Sequence, residues 1–108
     1  MEIVYHGHHA HIGAFFRRRA ERGVAKLARR LGPVTTAVVR VSNDADRKRV
    51  EVELDAPGRR LIGKSEGKYV GPALTRALEA VGRQVGYVKG VRRAHTRRES
   101  MTRRVQEA

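Results

Sequence analysis

The sequence has 108 residues, enough for one domain that folds around a single core without disulfides or a structural metal. It contains no cysteine, which excludes a disulfide framework and a thiolate metal site, and no run of about 20 apolar residues that would span a membrane. Its 24 Lys and Arg residues against 11 Asp and Glu residues leave a formal net charge of +13, a balance typical of proteins that bind a polyanion.

Residues 2–6 predict a short strand, because Ile3 and Tyr5 alternate with more polar residues and Gly7 follows as a breaker. Four histidines lie near its end: His6, His8, His9 and His11. Their spacing does not match the HExxH helix of zinc enzymes, and no Cys, Asp or Glu nearby completes a familiar metal site. We therefore predict a polar loop here, with no metal and no other cofactor.

Residues 12–31 predict an amphipathic helix that ends at Gly32-Pro33. At helical spacing one narrow stripe holds Phe16, Ala20, Val24, Leu27 and Leu31. The opposite face holds Arg18, Arg19, Arg22, Lys26, Arg29 and Arg30. Only Glu21 among them offers an ion pair of the usual sign, so we interpret this face as a positive surface beside a buried stripe. Both phenylalanines belong to this helix, and few exposed aromatic side chains are expected.

Three strands follow the first helix. Residues 35–41 are rich in β-branched side chains, and residues 47–55 alternate strictly between apolar and charged. Turn-forming residues at positions 43–46 are expected to join them into a hairpin with one solvent-exposed face. After a turn at residues 56–58, a strand over residues 59–65 is expected to turn Leu61, Gly63 and Ser65 towards the core, and Gly63 implies a close approach of backbone.

A second helix is predicted from about Pro72, with an apolar stripe of Leu74, Ala77, Leu78, Val81, Val85 and Val88. Beyond Val88 basic residues replace this stripe. Gly82, Gly86 and Gly90 line one flank, which fits a loosely formed helix and equally fits close packing against the first helix or a phosphate backbone. We divide the chain into a folded domain, residues 1–93, and a basic, flexible C-terminal tail, residues 94–108.

The element order β-α-β-β-β-α predicts a two-layer α+β fold in which a four-stranded mixed sheet carries both helices on one face. The first two strands would be parallel through a helical crossover, and the remaining strands would form an antiparallel meander. The outer sides of the helices, both basic, would then lie together.

Several patterns occur together along the chain: Ile3-x-Tyr5-x-Gly7, Ile12 with Phe16, Lys26-Leu27-x-x-Arg30, Gly58, Glu66-Gly67, and the helix over residues 74–89 with Arg83-Gln84. With these patterns the chain resembles the ribosome hibernation promoting factor / protein Y family, which includes the sigma-54 modulation proteins. The resemblance covers residues 1–93 and implies the same β-α-β-β-β-α fold, similar to double-stranded RNA-binding domains. Longer members carry a second domain that pairs two ribosomes, and we expect this chain to correspond to the short form.

The resemblance also implies a function. It indicates a cytoplasmic, ribosome-associated translation inhibitor of stressed cells that binds rRNA of the small subunit in the path of tRNA and mRNA. Ribosomal proteins are further expected contacts, whereas a membrane and a small-molecule substrate are not. With Arg18 added from the basic face of the first helix, the implied RNA-binding residues are Arg18, Arg22, Lys26, Arg29, Arg30, Arg83, Lys89, Arg92 and Arg93.

Two alternatives remain open from the residues alone. A general RNA- or DNA-binding protein could use the same scaffold without the ribosomal site, and its affinity would depend on salt but not on RNA shape. An RNA-cleaving enzyme would need two of the N-terminal histidines as acid and base around one phosphate, which a loop cluster does not provide. We therefore predict that the chain is not an enzyme.

Overall fold

The structure, a computed structural model, describes the backbone of residues 1–107 and the side chains of residues 1–90. Its elements in chain order are β1 (Glu2–His8), α1 (Ala14–Leu31), β2 (Thr36–Asp44), β3 (Arg47–Ala56), β4 (Arg59–Gly67) and α2 (Val70–Glu107). The β-α-β-β-β-α order predicted from the sequence is thus confirmed.

The four strands form one mixed sheet in the order β1-β2-β3-β4. β1 pairs with β2 in parallel, with Tyr5 opposite Val39, while β2/β3 and β3/β4 are antiparallel. In the last two pairs Val52 lies opposite both Val39 and Gly63, so the apolar positions of three strands share one face. Because side chains alternate between the two faces of a strand, the sheet has one apolar face, here called the dry face, and one charged face.

Both helices cover the dry face, as predicted. The core combines their apolar stripes with that face of the sheet, and its largest fully buried side chains are Val24, Val39, Val50, Val52, Leu54, Leu74, Val81 and Val85. α2 lies so close to β4 that a Cβ added to Gly63 would overlap the carbonyl oxygen of Ala77. The close backbone approach predicted at Gly63 is confirmed.

The end of α1 follows from its glycine. Gly32 has a φ of 108°, a conformation that glycine adopts without steric cost, and its N–H donates to the carbonyl of Ala28 at 3.0 Å. Pro33 follows and cannot continue the helix, so the predicted stop is confirmed. At the other end Gly13 is the N-cap and provides no side-chain hydrogen bond.

Several boundaries differ from those predicted. β1, β2 and β4 each extend two or three residues further, because main-chain pairing continues where side-chain patterning weakens. α2 begins at Val70 rather than near Pro72 and continues to Glu107, past the predicted start of the tail at residue 94. The side chains of that tail lie outside the described residues, and its flexibility stays a prediction.

Candidate nucleic-acid interface

The exposed side of α1 is a dense basic surface. The helix carries seven Arg and Lys residues and one Glu, and its buried residues are Ala20, Val24, Leu27 and Leu31. Because these four anchor one side of the helix in the core, the cations that alternate with them are held outward at helical spacing. The predicted division of α1 into an apolar stripe and a basic face is confirmed.

The cations on the outer face of the sheet, in contrast, are paired. All seven ion pairs found among the described side chains join residues of β2, β3 and β4 on the outer face of the sheet, the face away from the helices. Arg40 contacts Glu51 at 2.9 Å and Glu53 at 3.4 Å. Although burial opposes the charged form, the hydrogen bond and charge of Glu51, aided by Glu53, raise the pKa of Arg40. None of the seven pairs involves α1 or α2, so the described cations of the two helices are available to an outside polyanion.

The two helices run side by side in the same direction. Arg19 donates a hydrogen bond to the hydroxyl of Thr75 at 2.8 Å. A Cβ on Gly23 would meet the side chain of Leu78, and one on Gly82 would lie 3.5 Å from Leu27. Along these contacts the residue numbers increase on both helices. α1 and α2 are therefore parallel, and their N-terminal ends adjoin.

Between them lies an open depression of about 500 Å³, here called the interhelical groove. It is lined by Gly23, Lys26, Leu27 and Arg30 of α1 and by Thr75, Leu78, Glu79, Gly82 and Arg83 of α2. Lys26, Arg30 and Arg83 place three cations beside one acid, Glu79. A planar guanidinium can hold a phosphate through two hydrogen bonds, so this groove suits a nucleic-acid backbone.

The structure brings some of the predicted RNA-binding residues together and separates others. Lys26, Arg30 and Arg83 meet in the interhelical groove. Arg18 and Arg22 line a second depression on α1, together with Phe15 and Arg19; we call it the aromatic depression. Arg29 is exposed on α1 and Lys89 is half-buried on α2, both outside these two depressions. The side chains of Arg92 and Arg93 lie outside the described residues.

Arg17 has a different role from its neighbours. Its guanidinium lies 4.8 Å from the centre of the Tyr5 ring, and its Nε donates to the carbonyl of Ile12 at 3.4 Å. Burial, together with the charge of Glu21, raises the pKa of Tyr5, while Arg17 opposes that rise. Arg17 therefore connects the start of α1 to β1 and is distinct from the basic face.

Two features were missed or left open by sequence reasoning. Phe15 is exposed over 71% of its surface, and Tyr69 and Tyr87 are exposed as well, so the expectation of few exposed aromatic side chains is wrong. Helical geometry carried the signal, since Phe15 is rotated about 100° from Phe16, which belongs to the apolar stripe. At Gly82 the structure favours packing against α1, because Leu27 is at contact distance and Arg30 is 3.9 Å away.

The N-terminal histidines lie at the end of β1 and in the loop that follows it. His8 and His9 have ring centres 4.3 Å apart, and His6 and His8 line a depression of about 510 Å³ on the outer face of the sheet. That depression contains Arg40 and Lys64, which both pair with the carboxylate of Glu51. In the part of the chain with described side chains, no three His, Asp or Glu residues are grouped to hold a metal ion.

Comparisons with known proteins agree with this geometry. The family described as sigma 54 modulation protein / S30EA ribosomal protein matches residues 3–93. A comparison with curated proteins found no match. Over the described residues, no helix is both long and apolar enough to cross a membrane.

Two solved structures are similar. A ribosomal subunit interface protein from Coxiella burnetii superimposes with a TM-score of 0.73 at 15% identity, covering 83% of this chain and 99% of that one. The N-terminal domain of Protein Y from Thermus thermophilus gives a TM-score of 0.66 at 25% identity, covering 78% of this chain and 91% of the domain. At 15% identity the first likeness shows the fold alone.

Proposed function

The chain belongs to the sigma 54 modulation protein / S30EA ribosomal protein family, and from this membership we propose that it binds the small ribosomal subunit through its two helices. The resemblance drawn from the residues is thereby confirmed. The family and the structural neighbours indicate a ribosome-associated protein of the subunit-interface and hibernation type, and members of the family are not enzymes. The prediction that the chain is not an enzyme agrees with this.

One observation supports the helices as the binding surface: the ion pairs are segregated. The outer face of the sheet carries charges of both signs in contact, whereas the helices carry cations without ion pairs among the described side chains. A polyanion binds with the most favourable free energy to cations that have no existing ion pair, because the cost of breaking such a pair would offset the new contact. rRNA phosphates would therefore bind to the helices before the sheet.

In this proposal Lys26, Arg30 and Arg83 hold rRNA phosphates in the interhelical groove. Arg18, Arg22 and Arg29 extend the contact along α1, while Lys89, Arg92 and Arg93 extend it along α2. With the site in the path of tRNA and mRNA, occupation blocks translation by exclusion and needs no chemical step. We further propose that the protein acts in the cytoplasm of stressed cells, with ribosomal proteins as additional contacts and residues 1–93 as the binding domain.

Co-sedimentation with isolated small and large subunits at near-physiological salt, with excess tRNA as competitor, tests the proposal. We expect saturable, near-stoichiometric retention on the small subunit. Equal retention on both subunits, removed by tRNA or by modest salt, would contradict it and leave a general RNA-binding protein on the same scaffold.

A matched pair of variants tests the surface. The groove variant, Lys26→Gln with Arg30→Gln and Arg83→Gln, and the sheet variant, Arg47→Gln with Arg49→Gln and Lys64→Gln, each remove three positive charges. We expect the groove variant to lose small-subunit binding and the sheet variant to retain it, with circular dichroism showing both folded. Equal losses would mean that net charge alone determines binding, and retained binding by the groove variant would overturn the site.

A further inference from the structure

We infer that the aromatic depression and the adjoining start of α2 form a subsite for unpaired nucleobases, in which the rings of Phe15 and Tyr69 stack on the bases. This inference rests on the proposed function, because it takes RNA as the partner. It adds base stacking to the contacts with phosphates. It also specifies single-stranded RNA, which phosphate-binding cations alone would not distinguish from a duplex.

The first observation is the exposure of large rings in a chain with few aromatic residues. The sequence has two Phe, three Tyr and no Trp, yet Phe15 is 71% exposed and Tyr69 is 65% exposed. Phe15 does not stand alone on the surface, since it shares its depression with Arg18, Arg19 and Arg22. A single exposed apolar side chain needs no explanation, whereas a ring set among three guanidiniums is a recognisable binding arrangement.

The second observation is that Arg19 bridges the two helices at this end. Its Nη2 donates to Thr75 at 2.8 Å, and its Nη1 lies 3.1 Å from the position that a Cβ on Gly71 would take. Phe15 lies one helical turn before Arg19, and Tyr69 lies two residues before Gly71. The bridge therefore draws the start of α2, with Tyr69, towards the turn of α1 that carries Phe15.

A cation also accompanies the second ring. The Nζ of Lys68 lies 5.9 Å from the centre of the Tyr69 ring. Each ring of the proposed subsite is thus next to at least one positive side chain. Arginine and lysine can bind the phosphates on either side of a base while the ring covers the face of that base.

The charges favour RNA over an apolar protein partner. Covering Phe15 with an apolar protein surface would also bury Arg18, Arg19 and Arg22, and none of these has an ion-pair partner among the described side chains. Burial of unpaired charge is costly. An RNA strand provides phosphates for the guanidiniums and flat base faces for the rings in one ligand.

The rings further favour unpaired over paired RNA. In an A-form duplex the base faces are stacked on one another, and proteins reach mainly phosphates and 2′-hydroxyls. Only loops, bulges and ends expose a base face to an aromatic side chain. Two sources in the ribosome have this chemistry, an unpaired rRNA segment of the small subunit and the messenger strand.

The chain offers a sensitive probe, because it contains no tryptophan. Phe15→Trp and Tyr69→Trp each introduce a single indole at an exposed position, and Pro57→Trp does the same at the exposed turn between β3 and β4, outside the interhelical groove and the aromatic depression. Titration with a single-stranded RNA of about 12 nucleotides should quench the first two indoles, and a duplex of equal length should not. Quenching of all three indoles alike, or by the duplex alike, would overturn the subsite.

Affinity for small subunits provides the second readout. We expect Phe15→Ala to weaken binding about tenfold and Phe15→Tyr to restore it, because a ring is what stacks. Phe15→Leu keeps an apolar side chain without a ring, so restoration by Leu would indicate an apolar protein contact and overturn the inference. An unchanged affinity of Phe15→Ala would overturn it as well.

These results separate the inference from the proposed function. If wild-type protein does not bind small subunits, the proposed function fails; if wild type binds and Phe15→Ala binds equally, only the stacking subsite fails. Quenching of the Phe15→Trp indole by subunits free of messenger would support the subsite and identify rRNA as the source. Quenching only after messenger is added would support it with the messenger as the source.

Discussion

Gly63 is a position where one added methyl group would disturb the packing of two elements. Its absent side chain leaves room for the backbone of α2, since a Cβ there would overlap the Ala77 carbonyl oxygen and come within 3.0 Å of the Val81 nitrogen. Both neighbours are backbone atoms of a helix and cannot rotate away. We expect Gly63→Ala to lower the free energy of unfolding by about 1–3 kcal/mol, measured by urea denaturation.

Gly86 provides the matched control. It is exposed in α2, and the nearest atom to an added Cβ is an Arg30 nitrogen at 3.9 Å. Alanine is the better helix former, so Gly86→Ala should raise the free energy of unfolding by up to about 1 kcal/mol. If Gly63→Ala were as stable as wild type, α2 would not pack against β4 as closely as described.

Glu53 shows how the outer face of the sheet tolerates a buried charge. Among the described residues it is the one buried charged residue, at 7% exposure. Its carboxylate lies 3.4 Å from Arg40 and 4.0 Å from Arg60, and both of these arginines have a second acidic partner. A buried carboxylate must be paired to avoid a large desolvation cost, so these arginines serve the fold and are poor candidates for ligand binding.

At the scale of elements, α2 protects one of the two edges of the sheet, the edge formed by β4. β4 is an edge strand, and Gln84 of α2 pairs with Ile62 as a neighbouring strand would: the Ile62 N–H donates to Gln84 Oε1 at 3.2 Å, and Gln84 Nε2 donates to the Ile62 carbonyl at 2.6 Å. Further along the strand, Arg76 donates to the Glu66 carbonyl at 3.1 Å. Covering an edge in this way prevents pairing with another chain.

We expect Gln84→Ala to leave the main-chain groups of Ile62 without these partners. The free energy of unfolding should fall by about 1–2 kcal/mol, and the protein should self-associate more readily. Urea denaturation and sedimentation velocity measure the two effects. Glu79→Ala, at an exposed position of the same helix, should change the free energy by less than about 0.5 kcal/mol, and an equally small effect of Gln84→Ala would contradict the proposed edge protection.

At the scale of the whole molecule, charge is distributed by face. The net charge of +13 resides on a protein whose sheet neutralises much of its own charge, so the surplus is concentrated on the helices. A concentrated positive surface attracts a polyanion at long range and orients the encounter. The structure thus shows where the excess positive charge lies, whereas the composition gives only its total.

The dependence of binding on salt tests this distribution. Each phosphate contact contributes about −0.7 to −0.9 to the slope of the logarithm of the binding constant against the logarithm of salt concentration. Measured at low salt, the groove variant should therefore show a slope less negative by about 2 to 3, while the sheet variant should parallel wild type. Parallel slopes for all three proteins would contradict phosphate binding in the interhelical groove.

Much of the fold was predictable because its signals are local. The alternation of Val50, Val52 and Leu54 with charged residues requires only the geometry of a strand, and the stop at Gly32-Pro33 requires only the conformational limits of those two residues. The site was predictable in part. Lys26, Arg30 and Arg83 were identified as basic positions of two helices, but their meeting in one groove depends on how those helices pack.

The sequence by itself therefore determined the order of the elements, the buried face of each element and the excess of positive charge, because periodicity and composition are properties of neighbouring residues. Only the tertiary structure decided which cations are unpaired, that α1 and α2 lie parallel, and that Phe15 and Tyr69 are exposed near one end of the helix pair. The physical reason is distance along the chain: contacts such as that of Arg19 with Thr75 join residues 56 positions apart, and no local pattern records which residues packing brings together.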